Sequence, residues 1–557
     1  VYTYHDRGYI HEFQLRTITF YETERWYRSL SKEQFHQCSE EEDIENPFRR
    51  VCIPKDAELS TFANWGLVTL RSDLQKHNAG TAFKSGSLLA VPLSNLLNGD
   101  TWSNDDDVIQ LFTPTNSKSL SGITFTKDYV ILKVLQDVCA SLVFWMYDVS
   151  NGTWSQGTTI DNDDEKVKRD GDNGQRQQSD LSSCSTVSVP VGEDILVESH
   201  CRNNEVDNLL WIWRDGYLIP ETLEMTSVHD LLHSTKNNTV VVQSRPAMFE
   251  ARNLCVEQKF AQSLDGTSIP YFVIRRKDVP MDGSNPTLID AYGGFEHSMI
   301  PHYSGGVGAG WLERGGIKVI ANIRGGGEYG PSWHKAALRE KRHKCFEDVD
   351  AIAQALIRSG VTSYEKLALI GGSNGGLLVG NVITRSTGAK LFGAAVCQVP
   401  LLDMKRYSHL LAGASWMAEY GNPDIPEDWK FLRSFSPYHV LRHDILGISE
   451  EIEENKTLPS SNIGKTNKGD MKEDEKKDET WKCPKVLFTT STMDDRVHPG
   501  HARKMVSSLQ NEAGLAKAPV VCYWENVEGG HGGAADNSQI AEMWTITYEF
   551  LVKALDF

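Results

Sequence analysis

Ser373 stands in the hexapeptide Gly371-Gly372-Ser373-Asn374-Gly375-Gly376, with a glycine two residues before it and another two after it. The apolar run ending at Ile370 reads as a short buried strand, and the run beginning at Leu377 reads as a helix. A serine on such a strand-to-helix corner is the pattern of a nucleophile elbow. So sharp a corner strains the serine backbone, and neighbours without Cβ atoms leave room for it. The hydroxyl is thereby held clear of the sheet, beside backbone N–H groups at a helix N-terminus that favour negative charge. The chemistry this permits is attack on a carbonyl, with the resulting oxyanion held in place.

A serine nucleophile needs a general base, and the base needs an orienting acid. On this kind of scaffold they follow in the order serine, acid, histidine. Downstream, the strand-like run 486–490 leads to the pair Asp494-Asp495, either of which can serve as the acid. Carboxylates just past a parallel strand sit where such folds place their sites. The run 520–524 then leads to Glu528-Gly529-Gly530-His531-Gly532-Gly533. A histidine bracketed by glycines, on a loop before the last helix, has the freedom to reach a neighbouring strand end. Among 17 histidines, His498 is a rival, but it abuts Pro499 at a helix start. His297, His302 and His334 precede the serine and read as structural or substrate-proximal.

These residues need a scaffold. From about residue 270 onward, strand-like runs at 287–291, 317–323, 367–370, 394–399, 486–490 and 520–524 alternate with helix-like segments that include 345–359 and 538–555. Such alternation predicts a doubly wound, mostly parallel sheet covered on both faces. Residues 1–255 differ. Short runs at 17–21, 88–92, 129–134, 142–147 and 240–242, separated by turn-formers such as Asn98-Gly99-Asp100, Asn151-Gly152 and Asp265-Gly266, predict an all-β sandwich or propeller. At ~40–50 residues per blade this length supplies about five or six blades. Residues 161–180 and 447–480 are charged and poor in apolar side chains, and read as disordered insertions.

Composition narrows the function. A chain of 557 residues exceeds what one core serves, so two or more domains are expected, and the change in pattern places them at 1–255 and 256–557. The net charge of −18 argues against nucleic acid or an anionic membrane as a partner. No run approaches the ~18 apolar residues of a membrane span. Ten cysteines without a C-x-x-C pair read as reduced thiols in a cytoplasmic protein. Val1 begins the chain without an initiator Met or a signal peptide.

At this level of detail a resemblance becomes specific. The runs Asp290-Ala291-Tyr292-Gly293-Gly294-Phe295 and Asn322-Ile323-Arg324-Gly325-Gly326-Gly327-Glu328-Tyr329-Gly330 resemble the prolyl oligopeptidase family of serine peptidases. So do the elbow with its Asn374 and the run Asp494-Asp495-Arg496-Val497. The similarity covers roughly residues 255–557 and is loose before that. It implies an α/β-hydrolase domain capped by a β-propeller that admits only short peptides. The family propeller has seven blades and is preceded by a further segment of the peptidase domain. Residues 1–255 fall short of that, so the chain is expected to be truncated at its N-terminus.

The same resemblance implies roles. Ser373 is similar to the family nucleophile, His531 to the base and Asp494 to the orienting acid, with the Asn374 N–H and the Tyr292 hydroxyl as oxyanion donors. The segment Gly413-Ala414-Ser415-Trp416-Met417-Ala418-Glu419-Tyr420-Gly421 resembles the proline pocket. Trp416 would be the stacking plane, Phe295, Tyr420 and Val497 further walls, and Arg496 a donor to a substrate carbonyl. The branch that prefers basic residues tends to carry Ala after the nucleophile, so Asn374 favours the prolyl branch. Glu419 departs from the small polar residues expected there and leaves room for a basic side chain. The resulting expectation is a monomeric oligopeptidase cleaving after proline through an acyl-enzyme, with no metal or cofactor. Basic-residue, aminopeptidase or esterase specificity on the same chemistry is the alternative. A non-catalytic binding protein on a hydrolase scaffold is the alternative from another class.

Overall fold

The computed structural model describes residues 1–31, 47–75, 82–99, 107–156, 186–201, 206–233, 238–448 and 481–557. The expected insertion at 161–180 lies outside them, as does nearly all of that at 447–480. The chain forms two compact units. One comprises Val1–Pro246 with Ile300–Tyr303 and Tyr329–Pro331; the other comprises Ala247–Met299, Ser304–Glu328 and Ser332–Phe557.

In the first unit every strand pairing among the described residues is antiparallel, and sheets of four or five strands follow one another along the chain. Alternation of side chains explains why they pack face to face. In the strand Tyr129–Gln136, Val130, Leu132 and Val134 join Leu67, Leu88 and Ala90 of the preceding sheet in one core. Ile131 and Leu135 point the other way and join Ile195, Val197, Leu210 and Ile212 of the following sheet. Phe13 and Tyr27 of the first sheet pack in the same manner on Leu59, Val68, Leu89 and Val91 of the second. The expected strand at 17–21 is corrected. Its pairing ends at Thr17, and Ile18 and Phe20 are exposed in the turn that returns the chain at Thr23. A β-branched and aromatic run looks like a strand, but here strand pairing stops at its first residue, and the Arg71 guanidinium instead lies 3.8 Å from the centre of the Tyr21 ring.

The second unit is built on an eight-stranded sheet. Its strands are β1 (Leu254–Gln262), β2 (Ser268–Arg276), β3 (Thr287–Ala291), β4 (Ile317–Ala321), β5 (Leu367–Gly372), β6 (Ala394–Gln398), β7 (Lys485–Ser491) and β8 (Val521–Asn526), in the order β1-β2-β4-β3-β5-β6-β7-β8. The β1–β2 and β2–β4 pairings are antiparallel and the other five are parallel. The hairpin β1–β2 turns at Asp265-Gly266, a turn legible in the sequence, although neither strand was. Inner strands are buried on both faces and so read as mostly apolar runs, broken where Asp290 of β3 pairs with Lys318 of β4 at 2.9 Å, whereas β1 and β8 are half exposed.

Helices cover the sheet. In α1 (His343–Arg358) the buried Cys345, Phe346, Val349, Ile352, Ala353 and Leu356 recur at helical spacing. The helix α2 (Asn374–Thr384) is buried along its whole length. After β7 comes α3 (Gly500–Ser507). The last helix, α4 (Asn537–Leu555), is N-capped by Asp536, whose side chain accepts from Gln539 N at 2.9 Å. Because β3, β5, β7 and β8 run parallel, the residues that follow each of them emerge at one edge of the sheet. Tyr292, Ser373, Asp494 and His531 are those residues.

Candidate active site

Ser373 joins β5 to α2 with φ 58° and ψ −115°, a conformation that strains any residue with a Cβ. A Cβ on Gly371 would lie 2.5 Å from Gly375 O, and one on Gly375 would lie 2.6 Å from Ala291 O. The glycines at −2 and +2 are therefore what lets the corner close against β3. Gly372 has ordinary clearance.

His531 Nε2 lies 3.1 Å from Ser373 Oγ, and His531 Nδ1 lies 2.8 Å from Asp494 Oδ2. The other Asp494 oxygen accepts from the backbone N–H groups of Arg496, at 2.9 Å, and Val497, at 2.8 Å. Burial alone would raise the Asp494 pKa. The His531 hydrogen bond and the two backbone donors outweigh it and hold the carboxyl below its usual range. An acceptor-only carboxylate directs the Nδ1 proton toward itself, which leaves Nε2 as the acceptor facing the serine. Asp495 is exposed. The rival His498 accepts the N–H of Gly500 at 3.0 Å at the start of α3.

Tyr292 follows β3 and packs its backbone on Gly375. Burial, reinforced by the Glu419 carboxylate, raises its hydroxyl pKa, while Arg496 and Arg342 pull the other way. The hydroxyl thus remains a proton donor at neutral pH. Asn374 is buried; its Nδ2 donates to Tyr292 O at 2.6 Å and its Oδ1 accepts from the Tyr420 hydroxyl at 2.9 Å. Tyr420 is fully buried, with its ring edge-on to Phe295 at 5.7 Å between centroids. Trp416 and Val497 are nearly buried, and Arg496 is exposed. The backbone N–H of Ala412, at the start of the Trp416 segment, reaches Arg496 O at 3.4 Å.

One expectation fails. Glu419 is not open to a basic ligand side chain: it is completely buried, paired with Arg342 and 2.7 Å from His334 Nε2. A carboxylate with that much internal compensation has no capacity left for an outside cation.

Sequence reasoning missed Arg342, which carried no motif, and Asn526, the last residue of β8. Asn526 Oδ1 accepts from Glu528 N at 2.9 Å and Gly529 N at 3.2 Å, and its Nδ2 donates to Gly533 O at 3.1 Å. One side chain thereby folds both ends of the His531 loop. An asparagine three residues ahead of a glycine-rich stretch was the available signal.

Below the Asp494 loop lies a buried charge cluster. His501 Nδ1 accepts from Asp403 N at 3.0 Å and Leu402 N at 3.3 Å, so protonating that nitrogen would forfeit both bonds. Burial pushes His501 down to about 4, against the pull of Asp403, and does the same to His439. Burial would raise Asp403, but Lys504 beside it holds it down at about 2. The unfolded chain binds protons on these histidines first. Their contribution to stability is therefore complete above the ordinary imidazole pKa of ~6.5 and is lost as pH falls toward 4, on the order of 3 kcal/mol each. Asp403 adds a further loss below ~3.8. The thermal midpoint is expected to drop steadily between pH 7 and pH 4.5, and His501→Gln to flatten part of that slope. A midpoint constant over this range would refute the assignment.

Residues 303–557 match the profile of the prolyl oligopeptidase family. An uncharacterised peptidase of Sinorhizobium fredii is 36% identical over 477 residues, covering 86% of this chain and 54% of that protein. A prolyl endopeptidase of Elizabethkingia meningoseptica is 34% identical over 346 residues, covering 61% of this chain and 42% of that one. The solved structure of a post-proline cleaving enzyme from Rickettsia typhi is similar with a TM-score of 0.74 at 29% identity, covering 99% of this chain and 65% of that chain. The chain spans little more than half the length of the first of these relatives.

Proposed function

We propose that the chain is a member of the prolyl oligopeptidase family, whose profile residues 303–557 match, and that it is a serine peptidase hydrolysing short peptides on the carboxyl side of proline through an acyl-enzyme. The observation that carries this reading is the unbroken hydrogen-bonded line from Asp494 through His531 to Ser373. Ser373 Oγ attacks the scissile carbonyl as His531 Nε2 takes its proton, and Asp494 stabilises the imidazolium. The Asn374 N–H, at the N-terminus of α2, and the Tyr292 hydroxyl take the oxyanion. His531 then returns the proton to the leaving amine, and a water repeats the sequence on the ester.

Phe295, Trp416, Tyr420 and Val497 form the proline pocket in this reading, and Arg496 donates to a substrate carbonyl. Phe295, Trp416 and Tyr420 supply flat apolar faces suited to a pyrrolidine ring. Neutralisation of Glu419 by Arg342 leaves that carboxylate unable to attract lysine or arginine. The same reading takes residues 1–255 as a propeller whose blades are the successive antiparallel sheets, residues 256–557 as the peptidase domain, and the protein as a cytoplasmic monomer.

The test is labelling of Ser373 by a serine-reactive phosphonate, together with a comparison of prolyl and arginyl reporter peptides. Labelling that Ser373→Ala abolishes, with turnover of the prolyl reporter, is expected. An unlabelled wild-type protein would sink the peptidase reading, and preference for the arginyl reporter would sink the specificity.

A further inference from the structure

The stretch from Tyr292 to Phe295 carries a proposed oxyanion donor and a proposed pocket wall, yet it is neither helix nor strand. Three of its main-chain groups are held by side chains distant in sequence. Tyr292 O accepts from Asn374 Nδ2 at 2.6 Å, Gly293 O from Arg342 Nη1 at 2.8 Å, and Phe295 N donates to Glu419 Oε1 at 3.1 Å. The holding groups are themselves joined. Arg342 Nη2 pairs with Glu419 Oε1, and His334 Nε2 lies 2.7 Å from Glu419 Oε2. The Arg342 guanidinium stands 5.1 Å from the centre of the Tyr420 ring, whose hydroxyl donates to Asn374 Oδ1. The ring of contacts closes on the residue after the nucleophile.

Two features argue that this network positions the loop rather than simply filling space. The side chains of Arg342, His334 and Glu419 are at most 1% exposed. Burying such a pair costs desolvation that apolar residues of the same size would avoid, so its return lies in direction. A guanidinium and a carboxylate each offer several bonds at fixed angles, and here they grip one loop at two points. In addition, Phe295 and Glu296 both have φ 56°, a region that bulky residues leave unless their surroundings over-determine it. The Glu419 bond to Phe295 N sits at that strained point.

We propose that Arg342 and Glu419, backed by His334, are positioning residues that clamp the Tyr292–Phe295 loop, setting the Tyr292 hydroxyl against the developing oxyanion and the Phe295 ring against the pocket. The clamp rests on the peptidase reading above. It touches no reacting atom and acts through the loop it holds and the Tyr420 ring beside it.

The experiment measures kcat and KM on a prolyl reporter, together with the affinity for a prolyl peptide aldehyde, whose hemiacetal with Ser373 places an oxyanion in the hole. Single variants leave a buried charge without its partner, so the main variant is the double neutral change Arg342→Met with Glu419→Gln. It is expected to fold, to label with phosphonate, and to lose about 100-fold in kcat with a smaller rise in KM from the released Phe295 wall. Aldehyde affinity should fall in parallel, a readout that a reduced folded fraction would leave unmoved. Arg342→Lys should restore part of both. A folded double variant with wild-type kcat and aldehyde affinity would overturn the clamp, as would a loss confined to KM. Wild-type protein that fails to label would instead overturn the peptidase reading, and the clamp with it.

Discussion

Ser373→Ala is expected to lower kcat on the prolyl reporter by on the order of 10⁶-fold with no change in fold. The alanine keeps the Cβ and therefore the strained corner, so its thermal midpoint should match that of the parent. Ser373→Gly separates chemistry from strain. It is as inactive as the alanine variant, but at φ 58° it relieves a conformation that costs a residue with a Cβ about 1–3 kcal/mol. The extra freedom of glycine in the unfolded chain returns about 0.5–1 kcal/mol of that gain. The glycine variant should consequently melt above both the parent and the alanine variant. Substantial turnover by Ser373→Ala would remove the serine from the mechanism, and a glycine variant melting below the alanine one would remove the strain argument.

Asp494→Asn is expected to cost about 10⁴-fold in kcat, with KM largely retained. The reason lies in what each Asp494 oxygen already does. Oδ1 receives two backbone N–H groups, and Oδ2 faces His531 Nδ1. An amide must keep its oxygen toward the two N–H donors, because turning its NH₂ toward them would bury three unsatisfied donors together. Its NH₂ then points at Nδ1 and forces that nitrogen to accept. The proton moves to Nε2, the nitrogen that must receive the serine proton, and the base is lost while its position is kept. Asp495→Asn, at an exposed side chain, should have little effect. A large loss at Asp495 with none at Asp494 would reverse the assignment.

The contrast between these neighbouring aspartates shows how far a sequence reading reaches. Ser373 and His531 were legible because glycines bracket them, and glycine spacing reports backbone geometry directly. Gly371 and Gly375 stand where a Cβ would strike Gly375 O and Ala291 O. The parallel strands were legible because inner strands are buried on both faces and read as apolar runs. The half-exposed β1 offered no such run, and β2, buried from Ile269 to Ile274 but carrying Pro270, was passed over, while residues 17–21 had strand-like composition but pair with a strand only at Thr17.

Glu419 marks the boundary most sharply. Its charge was plain in the sequence, and an exposed carboxylate beside a pocket would have drawn a basic ligand. What neutralises it is Arg342, 77 positions earlier, from the segment that enters α1. No local pattern encodes that meeting, since an ion pair between distant positions depends on how the loop after β3, α1 and the Trp416 segment converge. The sequence by itself determined the candidates Ser373 and His531, their order along the chain with the Asp494-Asp495 pair between them, and the sheet that carries them, because these follow from short-range spacing and strand burial. Only the tertiary structure decided that Glu419 is spent internally and that Asn374 and Arg342 hold the Tyr292 loop. Those facts depend on direction and burial across the fold, which spacing along a chain does not contain.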